Sequence, residues 1–375
     1  MIRVLTFGRF ADDNFGGLER YVFELAHALE GEASFVNIVA HRGPRPDVAL
    51  AGETVYARPL ASIGDTPVCP TMPWHALARH RRAPFDIAHL QFPADPMAHL
   101  AYELLPRSVK RVITWHSDIV RQQGLLTLYR PLLNRSLRRA DAIIAPTPAH
   151  ISSSRQLDPV RDTARLHIVP FGFDLQRFRE RPALAEEIRR RYGRSLFLFA
   201  LGRHVYYKGF EFLIRALASV PQARLALGGQ GPLTGDLQRI AREAGVADRV
   251  DFVGRIPDAE LPAWYHACDA FCLPSVEPAE AFGIVQVEAM ACGKPVLCCQ
   301  LGNGVNWVNR DGETGIAVPP ADPQALAAAL DVLLRDPDLR SRLGEEGRKR
   351  AYSTFSAHAM ARGTLAVYRE VLSRL

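Results

Sequence analysis

Short runs of β-branched and other apolar residues alternate along this chain with segments in which apolar positions recur every three or four residues. The runs are typical of buried strands, and the periodic segments are typical of amphipathic helices. Their alternation predicts βαβ units and parallel sheets covered by helices. The expected strands are, in chain order, Ile2–Gly8, Phe35–Ala40, Asp86–Leu90, Arg111–Trp115, Ala142–Ala145, His167–Val169, Leu196–Leu201, Arg224–Leu227, Val250–Val253, Ala270–Leu273, Pro295–Cys298 and Gly315–Val318.

The strand series starts again after Pro170, which predicts two α/β domains in tandem. A chain of 375 residues is long enough for each domain to bury its own core. We therefore expect two Rossmann-like, doubly wound parallel-sheet domains that face a cleft. The predicted boundaries are residues 1–171 for the first domain, 172–356 for the second and 357–375 for a final helix.

The composition is that of an ordinary globular protein, with 48% hydrophobic and 23% charged residues. The N-terminus has no basic segment followed by an apolar run, and no stretch approaches the roughly 18 apolar residues of a membrane span. These features predict a cytoplasmic protein. The six cysteines form no CxxC pair and most lie in apolar runs, so we expect them to be reduced and buried.

The net charge of +6 is too small to indicate a nucleic-acid-binding protein. Its distribution is more informative, because residues 119–140 hold five arginines and no acid, and a second basic cluster lies at residues 75–82. Such clusters suit a diphosphate-linked acceptor or an anionic membrane surface, which would place the protein peripherally at the inner face of the plasma membrane. A solvated helix face is the alternative interpretation.

Two glycines, Gly16 and Gly17, follow the first predicted strand and precede an amphipathic helix. Glycines at this place let backbone amides approach a phosphate or a sugar at the positive end of a helix. The GxGxxG spacing of a dinucleotide fingerprint is absent, which disfavours an NAD-dependent dehydrogenase. A tight turn between strand and helix is the alternative.

His116 lies directly after the predicted strand Arg111–Trp115, in the sequence Thr-Trp-His-Ser-Asp. Adjacent side chains of an extended segment point to opposite faces, so His116, Ser117 and Asp118 cannot form a hydrolase triad. A histidine at the carboxyl end of a strand can instead hydrogen-bond a sugar hydroxyl. The alternative is a histidine that only stabilises the fold.

Arg203 and Lys208 lie between Gly202 and Gly209, in the loop that follows the predicted strand Leu196–Leu201. Two cations at the carboxyl end of a strand suit a diphosphate, because arginine offers a planar fork and lysine a mobile point charge. Surface charges beside a turn are the alternative.

Glu280 and Glu288 occur in the segment that follows the predicted strand Ala270–Leu273. Glu280 lies in the loop, where its carboxylate can face a ligand. Glu288 lies on an otherwise apolar helix and needs a partner, for which a ribose diol and a buried arginine are the two alternatives.

Backbone groups of two segments are further candidates. The helix that carries Glu288 is predicted to begin around Phe282 and Gly283, so that the free amides of Phe282, Gly283 and Ile284 can bind phosphate oxygens. Gly229 follows another strand, where its backbone can pass close to the nucleotide or only form a turn.

Taken together, these segments closely resemble the retaining glycosyltransferases of family 4, which have the GT-B fold, over essentially the whole chain. Glu280 and Glu288 are similar to the Glu-x7-Glu motif of that family, and Gly16-Gly17-Leu18-Glu19 looks like its Gly-Gly-x-Glu loop. Arg203 and Lys208 match its cation pair for the donor diphosphate. TWHSDIVRQ, YYKGFEFLI and EAFGIVQVEAMACGKPV look most like segments of bacterial lipopolysaccharide or exopolysaccharide mannosyltransferases.

The resemblance implies a role for each candidate residue. Arg203 and Lys208 would hold the diphosphate and Glu288 the ribose, while Glu280 and His116 would contact the transferred sugar. Gly16 and Gly17 would line the phosphate side of the first domain, and the final helix would cross back to that domain. Asn306 departs from the family, because relatives often have proline there.

The resemblance also implies the substrates. They are a nucleotide-diphosphate sugar and a saccharide or polyprenyl-diphosphate-linked acceptor, with no essential metal and no other cofactor. The most specific expectation is retaining transfer of mannose from GDP-mannose in the synthesis of lipopolysaccharide, O-antigen or exopolysaccharide. A UDP-sugar or GDP-rhamnose donor, a nucleotide-sugar epimerase of similar fold and a sugar-binding module without activity are the alternatives.

Overall fold

The protein is described by a computed structural model that covers residues 1–8, 17–41, 51–63, 66–119, 123–161 and 163–374. The chain divides into two compact units, of which unit 1 comprises Met1–Phe173 with Ser356–Leu375 and unit 2 comprises Asp174–Phe355. The predicted boundaries lie within two residues of these divisions.

Unit 1 contains nine strands and five helices before the chain leaves it, counted over the described residues. They are β1 (Ile2–Gly8), α1 (Gly17–Ala28), β2 (Ala33–Ala40), β3 (Glu53–Ala57), β4 (Ala61–Ile63), β5 (Thr66–Val68), α2 (Met72–Arg82), β6 (Ile87–Phe92), α3 (Pro96–Leu104), β7 (Lys110–Trp115), α4 (Gln123–Arg139), β8 (Ala142–Ala145), α5 (Pro148–Ser153) and β9 (Leu166–Ile168).

Unit 2 repeats the alternation of strand and helix. It contains α6 (Leu184–Tyr192), β10 (Leu196–Leu201), α7 (Phe210–Ala216), β11 (Ala223–Gly228), α8 (Thr234–Glu243), β12 (Val250–Gly254), α9 (Leu261–Ala267), β13 (Ala270–Leu273), α10 (Ile284–Ala291), β14 (Val296–Cys299), α11 (Gly304–Val308), β15 (Gly315–Val318), α12 (Pro323–Arg335) and α13 (Pro337–Thr354). The last helix of the chain is α14 (Ala357–Ser373), which belongs to unit 1.

Both units are built on parallel sheets. The strand order is β3-β2-β1-β6-β7-β8-β9 in unit 1 and β12-β11-β10-β13-β14-β15 in unit 2. In each sheet the order reverses once, between β1 and β6 and between β10 and β13, as in doubly wound folds. The expected fold class is therefore confirmed, and each reversal marks the crevice in which such sheets bind ligands.

The final helix α14 packs on the sheet of unit 1. Its buried side chains Met360, Tyr368 and Val371 join the cluster that also contains Val4 of β1 and Tyr21 of α1. The chain leaves unit 1 after Phe173 and returns to it at Ser356. These two ends of unit 1 are hydrogen-bonded to each other, because the Ala357 amide donates to the Phe173 carbonyl at 2.9 Å.

Two further observations concern the cysteines and the hydropathy of the helices. All six cysteines are free and buried, as expected, and burial raises the pKa of the Cys268, Cys298 and Cys299 thiols to about 12. Among the helices that the structure describes, none is long and apolar enough to cross a membrane.

Candidate functional site

The sheet reversal in unit 2 brings two of the loops with candidate residues together. Strands β10 and β13 are parallel neighbours, with Phe199 opposite Phe271, so the loops that follow them leave from the same edge of the sheet. The two loops are also hydrogen-bonded to each other, because the Val276 amide donates to the Tyr207 carbonyl at 2.8 Å. Residues 202–209 and 274–283 thus form one surface at the reversal.

Gly209 allows this close approach of the two loops. Its φ is +63°, and a Cβ at this position would lie 2.1 Å from the carbonyl oxygen of Pro274. A side chain at residue 209 would therefore push the loop after β10 away from the loop after β13.

Lys208 and Glu280 form an ion pair across the two loops. The Nζ–Oε2 distance is 2.5 Å, and each side chain is only 12% exposed. The Ser275 hydroxyl donates to the same carboxylate oxygen at 3.0 Å, and the Asn303 side chain donates to the Glu280 backbone carbonyl at 2.7 Å. The carboxylate is thereby fixed, and it holds the ammonium group of Lys208 at the sheet edge.

Arg203 is the second cation of this surface. It is exposed, and its guanidinium makes no hydrogen bond or ion pair within the described part of the chain. Its backbone is held in place, because the following residue, His204, is buried and hydrogen-bonds Thr234 at 2.9 Å and the Gln230 carbonyl at 3.1 Å. Sequence reasoning missed His204, since a histidine between two cations gives no signal that it is buried.

The glycine loop after β11 lies against the same surface. Gly229 has a φ of +101°, and a Cβ there would lie 2.0 Å from the carbonyl oxygen of Gly202. Gly229 therefore brings its loop into contact with the residue that precedes Arg203.

Helix α10 begins at Ile284, directly after the predicted start around Phe282 and Gly283. Gly283 is the N-cap residue, with φ +71°, a conformation that excludes it from the helix. Phe282 is 5% exposed and its ring packs edge-to-face on Phe355 at 5.8 Å, so its side chain belongs to the core. The amides at the start of this helix are therefore those of Gly283, Ile284 and Val285.

Glu288 lies inside unit 2 and contacts Tyr265 and Arg177. The Tyr265 hydroxyl donates to its Oε2 at 2.8 Å, and the Arg177 guanidinium lies 3.4 Å from its Oε1. Burial, followed by the negative charge of Glu288, raises the pKa of Tyr265 well above its usual value. The structure thus contains the arginine pair that was one of the two alternatives for this residue. A ribose diol would have to share the carboxylate with Arg177.

The departure at Asn306 has a structural explanation. Its side-chain oxygen accepts hydrogen bonds from the Leu301 amide at 2.7 Å and the Gly302 amide at 2.9 Å. A proline could not supply this acceptor, so Asn306 holds the glycine loop after β14 by its own side chain.

His116 lies in unit 1, directly after β7. Its Nε2 lies 2.9 Å from Oε1 of Gln91, and its ring stacks on Phe171 with centroids 5.2 Å apart. Burial, with smaller contributions from His89 and His150, lowers its pKa to about 3, so the ring is neutral at physiological pH. Gly16 lies outside the described residues, and Gly17 is the first residue of α1.

The arginine-rich segment of unit 1 is less uniformly charged than the sequence indicates. Arg135 and Arg139 of α4 both pair with Glu103 of α3, at 3.1 and 2.5 Å. The segment has no acid of its own, but the neighbouring helix supplies one. Arg130 and Arg138 are exposed, and Arg121 lies outside the described residues.

Comparison with known protein families agrees with this architecture. The profile of the family described as glycosyltransferase family 4 matches residues 15–177, and that of glycosyl transferases group 1 matches residues 185–350. The second match lies within unit 2, and the first covers most of unit 1 and extends four residues into unit 2.

Relatives with related activities cover nearly the whole chain. O-antigen chain mannosyltransferase C of Escherichia coli is 29% identical over 99% of both chains. D-rhamnosyltransferase WbpZ of Pseudomonas aeruginosa is 32% identical over 95% of this chain and 93% of its own. A GDP-mannose-dependent phosphatidylinositol monomannoside mannosyltransferase of Mycobacterium tuberculosis is 29% identical over 93% of both.

A solved structure shows the same arrangement of elements. Sucrose-phosphate synthase of Thermosynechococcus elongatus superposes with a TM-score of 0.75 at 25% identity, over 100% of both chains. The fold and the family profiles define a glycosyltransferase with the GT-B fold. This chain belongs to glycosyltransferase family 4.

Proposed function

We propose that this protein transfers mannose from GDP-mannose, with retention of the anomeric configuration, onto a saccharide or lipid-linked saccharide in cell-surface glycan synthesis. The observation that carries the proposal is the Lys208–Glu280 pair at the sheet reversal of unit 2, with the exposed Arg203 in the same loop. The names of the Escherichia coli and Mycobacterium tuberculosis relatives support mannose as the sugar.

The geometry suits a reaction in which a nucleoside diphosphate leaves. Arg203, Lys208 and the amides at the start of α10 are the groups that would stabilise the charge growing on the departing phosphate. Glu280 would accept hydrogen bonds from hydroxyls of the hexose. These groups would supply the electrostatic stabilisation without a metal ion, and undiminished transfer in the presence of EDTA would support this part of the proposal.

The bonds change as follows in the proposed reaction. The acceptor oxygen forms a bond to the anomeric carbon on the face from which the diphosphate leaves, while the bond from that carbon to the phosphate oxygen breaks. The proton of the acceptor hydroxyl passes to the departing phosphate. No side chain of the protein is required as a nucleophile.

Rhamnose is the main alternative to mannose as the transferred sugar. One relative is a D-rhamnosyltransferase, and rhamnose differs from mannose by lacking the hydroxyl at C6. A thermal-shift panel of GDP-mannose, GDP-rhamnose, UDP-glucose, GDP and UDP tests the choice, because a ligand at 100 times its Kd stabilises the folded state by about 2.7 kcal/mol. We expect the largest shift with GDP-mannose, and a larger shift with a UDP-sugar would overturn the assignment of the base.

A transfer assay with product analysis tests the reaction class. We expect a new glycosidic bond on a saccharide acceptor when GDP-mannose is supplied. Conversion of the nucleotide sugar into an epimer, with no acceptor glycosylated, would instead identify a nucleotide-sugar epimerase.

We also propose that unit 1 associates peripherally with an anionic membrane surface. Leu60 and Trp74 are 79% and 69% exposed, and Arg58, two residues before Leu60, is exposed as well. The Leu60 amide donates to the Val68 carbonyl at 3.0 Å, and Val68 precedes α2, the helix that carries Trp74, by four residues. A tryptophan and a leucine next to cations suit the interfacial region of a bilayer, where a lipid-linked acceptor would be presented.

A further inference from the structure

A polar pocket of about 420 Å³ lies in unit 2, between the turn that precedes β15 and one side of α13. Every residue that lines it is a glycine or has a polar or charged side chain. The turn, residues 309–314, leads into the amino end of β15, whereas the loops that carry Lys208 and Glu280 follow the carboxyl ends of β10 and β13. These strands are parallel, so the pocket and the candidate donor site lie at opposite edges of one sheet.

Arg350 of α13 is the rigid cation of this pocket. Its Nη2 and Nε donate to the carbonyls of Trp307 and Val308 at 2.7 and 3.1 Å. The guanidinium also lies over the rings of Trp307 and Phe355, with its Cζ 5.1 and 5.2 Å from the two centroids. These contacts fix the plane of the guanidinium, and its Nη1 makes no hydrogen bond within the described part of the chain.

The positive charge of Arg350 is not compensated by a carboxylate. Among the residues that the structure describes, Arg350 has only carbonyl and aromatic partners. Burial, followed by the positive charge of Arg310, lowers the pKa of Arg350 to about 10, although Glu313 acts in the opposite direction. A guanidinium that is desolvated beside a second cation is stabilised by a bound anion.

The pocket as a whole carries a surplus of two positive charges. Lys349 and Glu346 pair with each other at 2.8 Å and contribute no net charge. The other charged residues that line the pocket are three bases and one acid, namely Arg310, Arg342, Arg350 and Glu313. Three positive charges and one negative charge leave a net charge of +2, which water and salt alone must balance unless a ligand does.

The two further arginines are available to a ligand. Arg310 pairs with Glu313 at 3.2 Å, and the Nη1 of Arg342 donates to the Gly312 carbonyl at 3.3 Å. Both arginines are exposed, and such contacts of exposed side chains contribute little to stability. The remaining acid of the turn, Asp311, accepts an amide of β15 at 2.9 Å and does not line the pocket.

We propose that this pocket binds the phosphate group of a small phosphorylated molecule. A phosphate monoester carries a charge of about −1.5 to −2 at pH 7, which matches the surplus charge of the pocket. Guanidinium groups bind phosphate oxygens through paired hydrogen bonds, and Arg350 is held in place for such a contact. The volume is within the range of small-molecule sites and leaves room for more than the phosphate group.

The lining favours a water-soluble ligand over the headgroup of a phospholipid. None of the exposed large apolar side chains of the described residues lines this pocket. An acyl chain would therefore find no apolar surface beside the phosphate.

Fluorine NMR of the protein labelled with 5-fluorotryptophan tests the site directly. The chain has four tryptophans, and Trp307 lies against the guanidinium of Arg350, so its signal reports on the pocket. The spectrum of Trp307→Phe assigns this signal. We expect a saturable shift of the Trp307 signal with at least one of inorganic phosphate, pyrophosphate and mannose 6-phosphate, and no shift with mannose. No shift with any of the three phosphates would overturn the proposal.

Arg310→Gln and Arg342→Gln test which residues bind the phosphate. We expect each to raise the Kd from this titration about tenfold, because a charge-assisted hydrogen bond is lost. Arg350 is left intact, since its loss would also free the carbonyls at the end of α11. Arg348→Gln is the matched control, because Arg348 lies on α13 outside the pocket and pairs with Glu345 at 3.0 Å. An equal rise of the Kd in the control would show a general effect of charge and overturn the proposal.

Two further titrations distinguish the pocket from other phosphate sites. Saturating GDP should leave the Trp307 shift unchanged, and loss of the shift would assign it to the donor site and overturn the proposal. A shift with phosphatidylglycerol vesicles but not with the soluble phosphates would assign the pocket to a lipid headgroup instead. If the protein transfers no hexose from any nucleotide sugar, only the proposed function is wrong, because these titrations require no transfer.

Discussion

At the scale of single residues, the sequence located the candidate side chains but not their partners. Lys208 and Glu280 each follow a recognisable strand, and parallel strands bring their carboxyl ends to one edge. The contacts of Arg177 with Glu288 and of Gln91 with His116 depend on how segments 111 and 25 residues apart pack, and neither residue stands in a distinctive local pattern.

Lys208→Met tests the first of these pairs. We expect transfer to fall by at least a hundredfold, because the departing diphosphate loses a positioned cation. The substitution also leaves the Glu280 carboxylate without its counter-ion, which costs about 3–5 kcal/mol for a buried pair. Adding Glu280→Gln should recover stability in thermal unfolding without recovering transfer.

Lys349→Ala is the matched control for this test. Lys349 also pairs with a glutamate, Glu346, at 2.8 Å, but its side chain is 62% exposed and the pair lies on α13. We expect native activity and stability within about 0.5 kcal/mol, as for exposed ion pairs. Full transfer activity in Lys208→Met would contradict the site.

At the scale of elements, most strands of the two parallel sheets were predictable, whereas edge strand β3 and the hairpin β4–β5 were not. Ile2–Gly8, Leu196–Leu201 and Ala270–Leu273 are long or fully apolar runs, and their predicted bounds are confirmed. Edge strand β3 is half polar, and the hairpin β4–β5 has strands of three residues, too short for a periodic signal. The start of α10, predicted around Phe282 and Gly283, lies at Ile284, because Gly283 adopts a positive φ, which the apolar pattern does not reveal.

Gly209→Ala tests how closely the loops after β10 and β13 must approach. We expect a loss of several kcal/mol in unfolding free energy or a displaced loop, with nucleotide binding lost in either case, since Cβ would overlap the Pro274 carbonyl. Gly245→Ala has a similar φ of +67° with no atom within 4 Å of the added Cβ, so it measures the cost of the backbone conformation alone. Equal effects of the two substitutions would contradict a special role for the loop contact.

At the scale of the whole molecule, unit 1 contains several histidines whose pKa is lowered by burial. In unit 1 burial lowers the pKa of His89 and His116 to about 3 and of His99 and His150 to about 4. Unfolded histidine titrates near pH 6.5, so between about pH 6.5 and 4 the unfolded chain binds more protons than the folded unit. The stabilisation is complete above pH 6.5 and is lost as the pH falls.

Thermal unfolding between pH 7.5 and pH 5 measures this effect. We expect the Tm to fall as the pH is lowered, because the unfolding free energy decreases by up to about 1.4 kcal/mol per pH unit for each such histidine. His99→Gln should reduce this pH dependence, because one histidine fewer takes up a proton on unfolding. Replacement of the exposed His358 should leave the pH dependence unchanged. A Tm that does not change between pH 7.5 and pH 5 would contradict buried neutral histidines.

Vesicle binding tests the proposed membrane association of unit 1. We expect the native protein to cosediment with anionic vesicles at low salt and to be released at high salt, and the Leu60→Ala/Trp74→Ala variant to bind more weakly. Val332→Ala removes a 45% exposed apolar residue of unit 2 and serves as the control. Equal binding to neutral and anionic vesicles would contradict an electrostatic contribution.

The same variant distinguishes a membrane contact from a saccharide contact. If Leu60 and Trp74 bind lipid, the double variant keeps native activity on a water-soluble acceptor and loses activity only on a vesicle-bound one. Loss of activity on the soluble acceptor, with vesicle binding unchanged, would assign these residues to the acceptor sugar instead.

The stereochemistry of transfer from GDP-mannose tests the central claim most directly. The purified protein is incubated with GDP-mannose and a saccharide acceptor, and the one-bond carbon–hydrogen coupling of the new anomeric centre gives its configuration. The account predicts a product with the anomeric configuration of the donor, formed by the native protein and not by Lys208→Met. A product of inverted configuration, or no transfer from any GDP- or UDP-hexose, would contradict it.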